Sequence, residues 1–464
     1  MSKALVDQPR LHDQFLASGR QHVLMLTIHG IHQWQVVPGL PDTGGQNVFV
    51  NQFSQALADQ GFKITIANRG GYPHPVSGKA RLGWHYKDAH QRILYLEDGF
   101  QQFVRKEDMA QHIPNLVAYL QDKLDARQTP VDLILSHYWD AGKVGAGYQQ
   151  SLPSPVPHIW VPHSLGEIKK KNTSPEQWDN LRIDQRIHIE QHLLEVVDGV
   201  GSTSSRIQTS LNEDYGYSGP VLWLPPCVDP QRYHPRQIAE DDPIWEFLSQ
   251  HTQLTPGEMR RCKIVSEISR TDTTKRKDIL IEAFARVQQR FPDSLLVVAI
   301  DEHQKALAGK LRALIEARQI GSHTAVVGSI WEWLPALYAV TDVYCTPSIM
   351  EGFGMSAQEA AASGAPVVSS DKVPFATEYL LDEPVREAFP PGGSGQPIQI
   401  GQGAVVVPAD DVAGFSYALE MLLEDTAMRK KMGQRALQIT VPRFTWDSVV
   451  REFLQALDDL IRKT

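Results

Sequence analysis

Two glutamates, Glu351 and Glu359, stand eight positions apart around the turn Gly352-Phe353-Gly354. Carboxylates accept hydrogen bonds from hydroxyl groups, and glycines admit a ligand close to the backbone. The segment Met355 to Ser363 reads as a helix, whose first N–H groups are unpaired and suit an anion. One glutamate precedes that helix and the other lies on it, so one ligand can touch both. Two such glutamates alone are common on solvated helix faces. The succession of strand, Gly-Phe-Gly, helix and then Ser363-Gly364-Ala365-Pro366-Val367-Val368 is much rarer, and it is this order that points to a site. A second set lies upstream in Glu267-Ile268-Ser269-Arg270-Thr271-Asp272-Thr273-Thr274-Lys275. Arg270 and Lys275, separated by a loop after a strand, can converge on one diphosphate and stabilise it as it departs.

The first half of the chain carries its own candidates. Gly44-Gly45-Gln46 opens an amphipathic segment after the first strand. Its glycines can offer N–H groups to a phosphate or sugar, although a Gly-Gly pair is more often only a turn. His163 ends a strand and is followed by Ser164-Leu165-Gly166. Cations occur at Arg105-Lys106, at Lys169-Lys170-Lys171, and at Arg182 and Arg186. A phosphorylated substrate needs such fixed cations, because a dianion is otherwise costly to desolvate. Lys106 and Lys169 are the preferred pair, with Arg105, Arg182 and Arg186 in reserve. For each of them a structural salt bridge or a solvated charged face is the competing account.

The elements that must position these residues are legible as alternating apolar runs and helix-like stretches. Val23–Ile28, Ile64–Ala67, Asp132–Ser136, His158–Val161 and Val200–Ser204 read as strands of a first domain. Lys263–Ser266, Leu295–Val298, Ala325–Val327, Val343–Cys345, Pro366–Val368 and Ala404–Val407 read as strands of a second. Between them, Pro225, Pro226, Pro230, Pro235 and Pro243 crowd a segment that cannot hold a long helix and reads as a linker. The expected fold is α/β, with two doubly wound domains: residues 1–222, joined by a terminal helix at 446–464, and residues 223–445. Val449, Phe453, Leu457 and Leu460 share a face of that last helix. Open parallel sheets bind ligands at the carboxyl ends of their strands, where the candidate residues fall.

The chain has 464 residues, 42% of them hydrophobic and 21% charged, enough for two sizeable cores. A net charge of −9 argues against a general nucleic-acid binder, so any phosphate site is locally basic. Cys227, Cys262 and Cys345 are odd in number and widely spaced, which suits neither a disulfide framework nor a zinc site and predicts a reducing cytoplasm. No apolar run approaches the ~18 residues of a membrane span, and Met1 to Gln21 lacks a signal-peptide core. No Asp-x-Asp triplet and no P-loop sequence occurs.

Taken together, Glu351 to Glu359, Ser269-Arg270 to Lys275, Gly44-Gly45-Gln46, His163-Ser164-Leu165-Gly166 and Arg105-Lys106-Glu107 resemble the GT4 family of retaining glycosyltransferases, within it most nearly the sucrose-phosphate synthase group without a phosphatase domain. The resemblance covers nearly the whole chain. It implies a GT-B fold: two Rossmann-like domains facing a cleft, the last helix crossing back to the first domain, acceptor bound by the first and nucleotide sugar by the second. By that resemblance Glu351 faces the donor hexose and Glu359 the ribose, while Gly352, Phe353 and Gly354 border the donor. Arg270 and Lys275 hold the diphosphate with the Gly44 and Gly45 amides, and His163 contacts the hexose. Gln46, Arg105, Lys106, Ser164, Lys169, Arg182 and Arg186 line the acceptor pocket. Relatives with two consecutive arginines have Gln185-Arg186 as their counterpart here, and Ala299 to His303 replaces a glycine-rich turn. The implied reaction moves glucose from UDP-glucose or ADP-glucose to fructose 6-phosphate, with retention and with no metal or other cofactor. It would yield sucrose 6-phosphate, leaving dephosphorylation to a separate sucrose-phosphate phosphatase, and would involve neither nucleic acid nor membrane. Three alternatives stay open: sucrose synthase using fructose, a GT4 enzyme with another acceptor, and a sugar-nucleotide-binding regulator without activity.

Overall fold

In the computed structural model, which describes residues 8–37, 40–125, 129–302, 304–328 and 330–462, the buried apolar runs form two sheets of eight strands each. The first contains β1 His22–Leu26, β2 Lys63–Arg69, β3 Gly83–Tyr86, β4 Gln91–Leu96, β5 Leu133–His137, β6 His158–Val161, β7 Gly199–Ser202 and β8 Val221–Trp223. Their order is β3-β4-β2-β1-β5-β6-β7-β8, parallel except for β3. Strands β1, β2, β4 and β5 are buried along their whole length, as a parallel sheet covered on both faces requires. The chain runs from β1 outward to β2 on one side and later to β5 on the other. This reversal opens a crevice beyond the carboxyl ends of β1 and β5.

The second sheet contains β9 Lys263–Glu267, β10 Ser294–Ala299, β11 Thr324–Val327, β12 Val343–Thr346, β13 Val367–Ser370, β14 Arg386–Ala388, β15 Ile398–Ile400 and β16 Ala404–Val407. Its order is β11-β10-β9-β12-β13-β16-β15-β14, antiparallel only at the β14–β15–β16 edge. Here the reversal falls between β9 and β12. The Arg270–Lys275 loop leaves β9 and the Glu351–Gly354 turn leaves β12, so both motifs stand at this switch point.

The described chain divides into two compact units, residues 1–225 with 446–464, and residues 226–445. The helix Trp446–Ile461 packs within the first unit, with Trp446 stacked on Phe53 at 5.4 Å and Phe453 edge-on to Phe53 at 5.4 Å. Five strands escape the sequence reading. β3 and β8 have only partly buried faces. β4 is disguised by Gln91 and Arg92, polar yet fully buried, with the Arg92 guanidinium between the Phe15 and Trp84 rings at 3.9 and 3.8 Å. β14 and β15 have three residues each, too few to show a period, within the long Leu381–Gly403 stretch. Among the described residues no helix is long and apolar enough to cross a membrane.

Candidate active site

In the second unit the two motifs meet directly. Lys275 Nζ lies 2.6 Å from Glu351 Oε1, with the lysine side chain only 8% exposed. The turns are tied together behind this pair: Ile349 N–H donates to Thr274 O at 2.8 Å and Ser348 Oγ to the same carbonyl at 3.2 Å. Asp272 accepts from Thr274 N–H at 2.9 Å and fixes the single 3₁₀ turn that carries Lys275. Gly354 precedes the helix Met355–Ala362 with φ +112°, and a Cβ there would meet Val373 Cγ1 at 2.7 Å, so the position demands glycine. Gly352 has open space above it. Phe353 is buried, its ring 5.4 Å from Phe375 and 5.8 Å from Phe444; it anchors the turn in the core. Glu359 receives the Tyr338 hydroxyl at 3.3 Å. Burial pushes its carboxyl up to about 7, against the pull of Tyr338 and the charge of Arg232. Arg270 is 86% exposed and lies 3.8 Å from Asp272. Its guanidinium is not joined to Lys275.

The first unit assembles its candidates from several loops at the crevice. Gly44 and Gly45 begin the helix Gly45–Asp59, and the Gly44 N–H is held by Asn47 Oδ1 at 2.9 Å, with open space above the glycine. Gln46 Nε2 donates to Thr27 Oγ1 at 3.1 Å. His163 follows β6 with φ +54°; its Nε2 lies 3.0 Å from His137 Nδ1 and its ring meets Phe49 edge-on at 4.9 Å. Burial pulls its imidazole down to about 3 and the nearby His29 adds to this, so the ring is neutral at pH 7.

A pocket beside these residues is lined by Lys106, Glu107, Tyr138, Lys169, Arg182 and Arg186, among others. Lys106 and Lys169 approach the same oxygen, Glu107 Oε1, at 3.5 and 3.9 Å. Lys106 also pairs with Asp42. Burial opposes the Lys106 charge, but the Asp42 carboxylate outweighs it and raises the ammonium above its usual range. Burial lowers Lys169, Arg186 lowers it further, and Glu107 resists. Among the described residues, four of the seven non-glycine residues with positive φ are Asp42, Tyr138, His163 and Arg182, all at this crevice. Such backbone costs about 1–3 kcal/mol per residue and concentrates where function over-determines it.

The remaining sequence candidates divide by exposure. Arg186 is buried and fully engaged: its Nε meets Glu190 at 2.7 Å, Nη1 the Tyr138 hydroxyl at 2.5 Å, and Nη2 Ser164 O at 2.5 Å and Ser164 Oγ at 3.1 Å. It builds the pocket wall and holds Ser164. Arg105 and Arg182 are about half exposed and pair with Glu107 and Asp108 at 3.4 and 2.7 Å. Sequence reasoning missed Glu107 as the shared anion, Tyr138 as the wall, and the pair of His29 with the buried Asp140, whose oxygens lie 3.0 and 3.1 Å from His29 Nδ1. His29 and Tyr138 stand just beyond β1 and β5, so the strand-end rule, applied to every strand, would have found them. His303 lies outside the described residues. Among the described residues no cluster of His, Cys, Asp and Glu has the arrangement of a metal site.

Two doubly wound sheets, each with charged loops at its switch point, are the architecture these residues build. The family description "Glycosyltransferase Family 4" matches residues 43–232, and "Glycosyl transferases group 1" matches residues 259–439. The chain is a glycosyltransferase of this group, an enzyme of GT4 type with the GT-B fold. Mannosylfructose-phosphate synthase of Agrobacterium fabrum is 27% identical over 75% of each chain. A D-inositol 3-phosphate glycosyltransferase of Corynebacterium aurimucosum is 25% identical over 88% of this chain and 89% of its own. The solved sucrose-phosphate synthase of Thermosynechococcus elongatus superposes with a TM-score of 0.74 at 22% identity, covering 96% of this chain and all (100%) of that one, a likeness of fold.

Proposed function

We propose that this glycosyltransferase moves glucose from a nucleoside diphosphate glucose to the anomeric hydroxyl of fructose 6-phosphate, with retention, giving sucrose 6-phosphate. The observation that carries the reading is the convergence of Lys106 and Lys169 on one buried-edge carboxylate, Glu107, in a pocket walled by Arg186. Arg105 shares Glu107 as well, so three cations face only two carboxylates, Glu107 and the Asp42 that pairs with Lys106, which leaves positive charge to meet a phosphate. The names of the relatives from Agrobacterium and Corynebacterium both specify phosphorylated molecules.

In the proposed reaction the bond from the donor anomeric carbon to the diphosphate breaks, and the acceptor oxygen bonds to that carbon on the same face. The acceptor proton passes to the departing phosphate oxygen, so no protein base and no metal is required. Lys275 neutralises charge on the leaving diphosphate, with Arg270 swinging in from solvent. Glu351, held by Lys275, orients the hexose, and Glu359 accepts from the ribose hydroxyls.

The inositol 3-phosphate glycosyltransferase relatives favour one second reading, a cyclitol phosphate acceptor in the same pocket. A screen of UDP-, ADP- and GDP-glucose against fructose, fructose 6-phosphate and D-inositol 3-phosphate, read by mass spectrometry, tests both. Product with fructose 6-phosphate far above that with either other acceptor is expected. Equal turnover of fructose would overturn the phosphate role of the pocket, and turnover of inositol phosphate alone would install the second reading.

A further inference from the structure

Behind the donor loop lies an ion pair that the reaction just described does not use. Glu267 is the last residue of β9, and Lys277 opens the helix Lys277–Arg290. Their charged groups are in contact, and both side chains are only 1% exposed. Lys277 Nζ also donates to Ser269 O at 3.2 Å and lies 3.0 Å from Ser269 Oγ. The Ser269 hydroxyl in turn donates to the other Glu267 oxygen. Three residues thus form a closed network, buried at Glu267 and Lys277 and half-buried at Ser269, whose free end is the peptide leading into Arg270.

A buried pair of this kind is a poor source of stability, because desolvating both charges cancels most of their attraction; well-packed apolar residues do as well or better. The strand and helix would hold together without it. What apolar residues cannot do is grip the carbonyl and hydroxyl of Ser269. Arg270, by contrast, has almost no anchor of its own, being solvent-exposed and 3.8 Å from Asp272. Its side chain can sample solution, but the point from which it swings is fixed two bonds from the network. On the other flank, Asp272 and the 3₁₀ turn fix Lys275, and Thr271 Oγ1 accepts from Asp301 N–H at 2.8 Å.

We propose that Glu267, Lys277 and Ser269 are positioning residues that aim Arg270 at the donor diphosphate. The proposal rests on the assignment of Arg270 to that diphosphate. It predicts that the pair acts on donor binding and turnover only through Arg270, although neither residue touches the donor.

The test is a double-mutant cycle in the full chain, with UDP binding measured by calorimetry and kcat by product formation. Glu267→Leu with Lys277→Met removes the charges together and is expected to unfold within a few degrees of the parent. Donor KM should rise and kcat fall, together lowering kcat/KM about tenfold, with acceptor KM unchanged. In an Arg270→Ala background the same double substitution should cost less than twofold more. Ser269→Ala, which removes only the bridging hydroxyl, should show a smaller effect of the same pattern and keeps the test usable if the double variant folds poorly. Effects that multiply with Arg270→Ala, or unchanged donor kinetics in both the double variant and Ser269→Ala, would overturn the proposal alone. If Arg270→Ala itself leaves UDP binding and kcat unaltered, the assignment of Arg270 fails and the proposal falls with it.

Discussion

The two sheets build their sites in opposite ways. In the second unit the working residues come from two short continuous segments, one after β9 and one after β12, and a single 2.6 Å ion pair, Lys275–Glu351, locks them. In the first unit they come from loops after several strands, held by one shared carboxylate, Glu107, at 3.5 and 3.9 Å and by four residues in left-handed backbone conformations. Adjacent parallel strands at a switch point bring two local motifs together almost automatically. A pocket assembled from distant loops needs strained turns and buried side chains such as Arg186 to hold it. Under the proposed reaction, the compact site would serve the diphosphate, while the composite one would set the acceptor through loop residues that can be exchanged without disturbing the sheet.

Breaking the local lock should have the largest consequence. Lys275→Ala removes a cation that acts as charge develops and breaks its ion pair with Glu351. A fall in kcat of about 10²–10³ is expected, the scale of losing one such stabilising group. Donor affinity should change much less; a variant with weak donor binding but full kcat would contradict the transition-state role.

The composite pocket should fail more selectively. Lys106→Ala or Lys169→Ala is expected to raise KM for a phosphorylated acceptor about 10- to 100-fold, matching the ~1.5–3 kcal/mol of a hydrogen bond to a charged group. Turnover of an unphosphorylated analogue should be unaffected. Equal losses on both substrates would assign these lysines to structure instead.

A pH effect separates the units further. Burial raises Glu359 to about 7. A ribose hydroxyl donates best to the ionised carboxylate, so donor binding must expel the proton below that value. Affinity should therefore tighten as pH rises from 6 to 8, by at most about tenfold per unit below 7. Glu359→Gln should flatten the profile. The same shift acts on stability with a definite sign: between the unfolded value near 4.5 and about 7 the folded state binds the extra proton. The contribution is thus full below 4.5 and is lost as pH rises through 7. Chemical unfolding of parent and Glu359→Gln across pH 4–8 reads this difference.

The smallest expected effect is purely conformational. Gly354→Ala forces a side chain into φ +112° and against Val373, and should cost about 1–3 kcal/mol and several degrees of Tm. Gly44→Ala and Gly352→Ala meet open space and should leave Tm unchanged, altering only donor binding.

How much of this was legible varies with distance along the chain. β6 and β16 are read from sequence with their observed limits, because short runs of buried apolar residues between turns have few alternative fates. β4 was hidden because burying Arg92 depends on Phe15 and Trp84, neither of which neighbours it in sequence. Phe353 shows the same limit: the family resemblance associates it with the donor, while its ring is committed to Phe375 and Phe444. Arg270 and Lys275 look equivalent in the sequence, yet one is 86% exposed and the other 8%.

The sequence by itself determined the alternating architecture, the Arg270–Lys275 and Glu351–Glu359 motifs, and their place after strands. These depend on local periodicity and on residues within one or two turns of each other. Only the tertiary structure decided which cations are free to meet a substrate and which are spent on the fold. Lys106 and Lys169 share Glu107, Arg186 is consumed by Glu190, Tyr138 and Ser164, and Lys277 is sealed against Glu267. The physical reason is that a charge is defined by its desolvation and its counter-ion, and both are set by partners that the chain brings together only on folding.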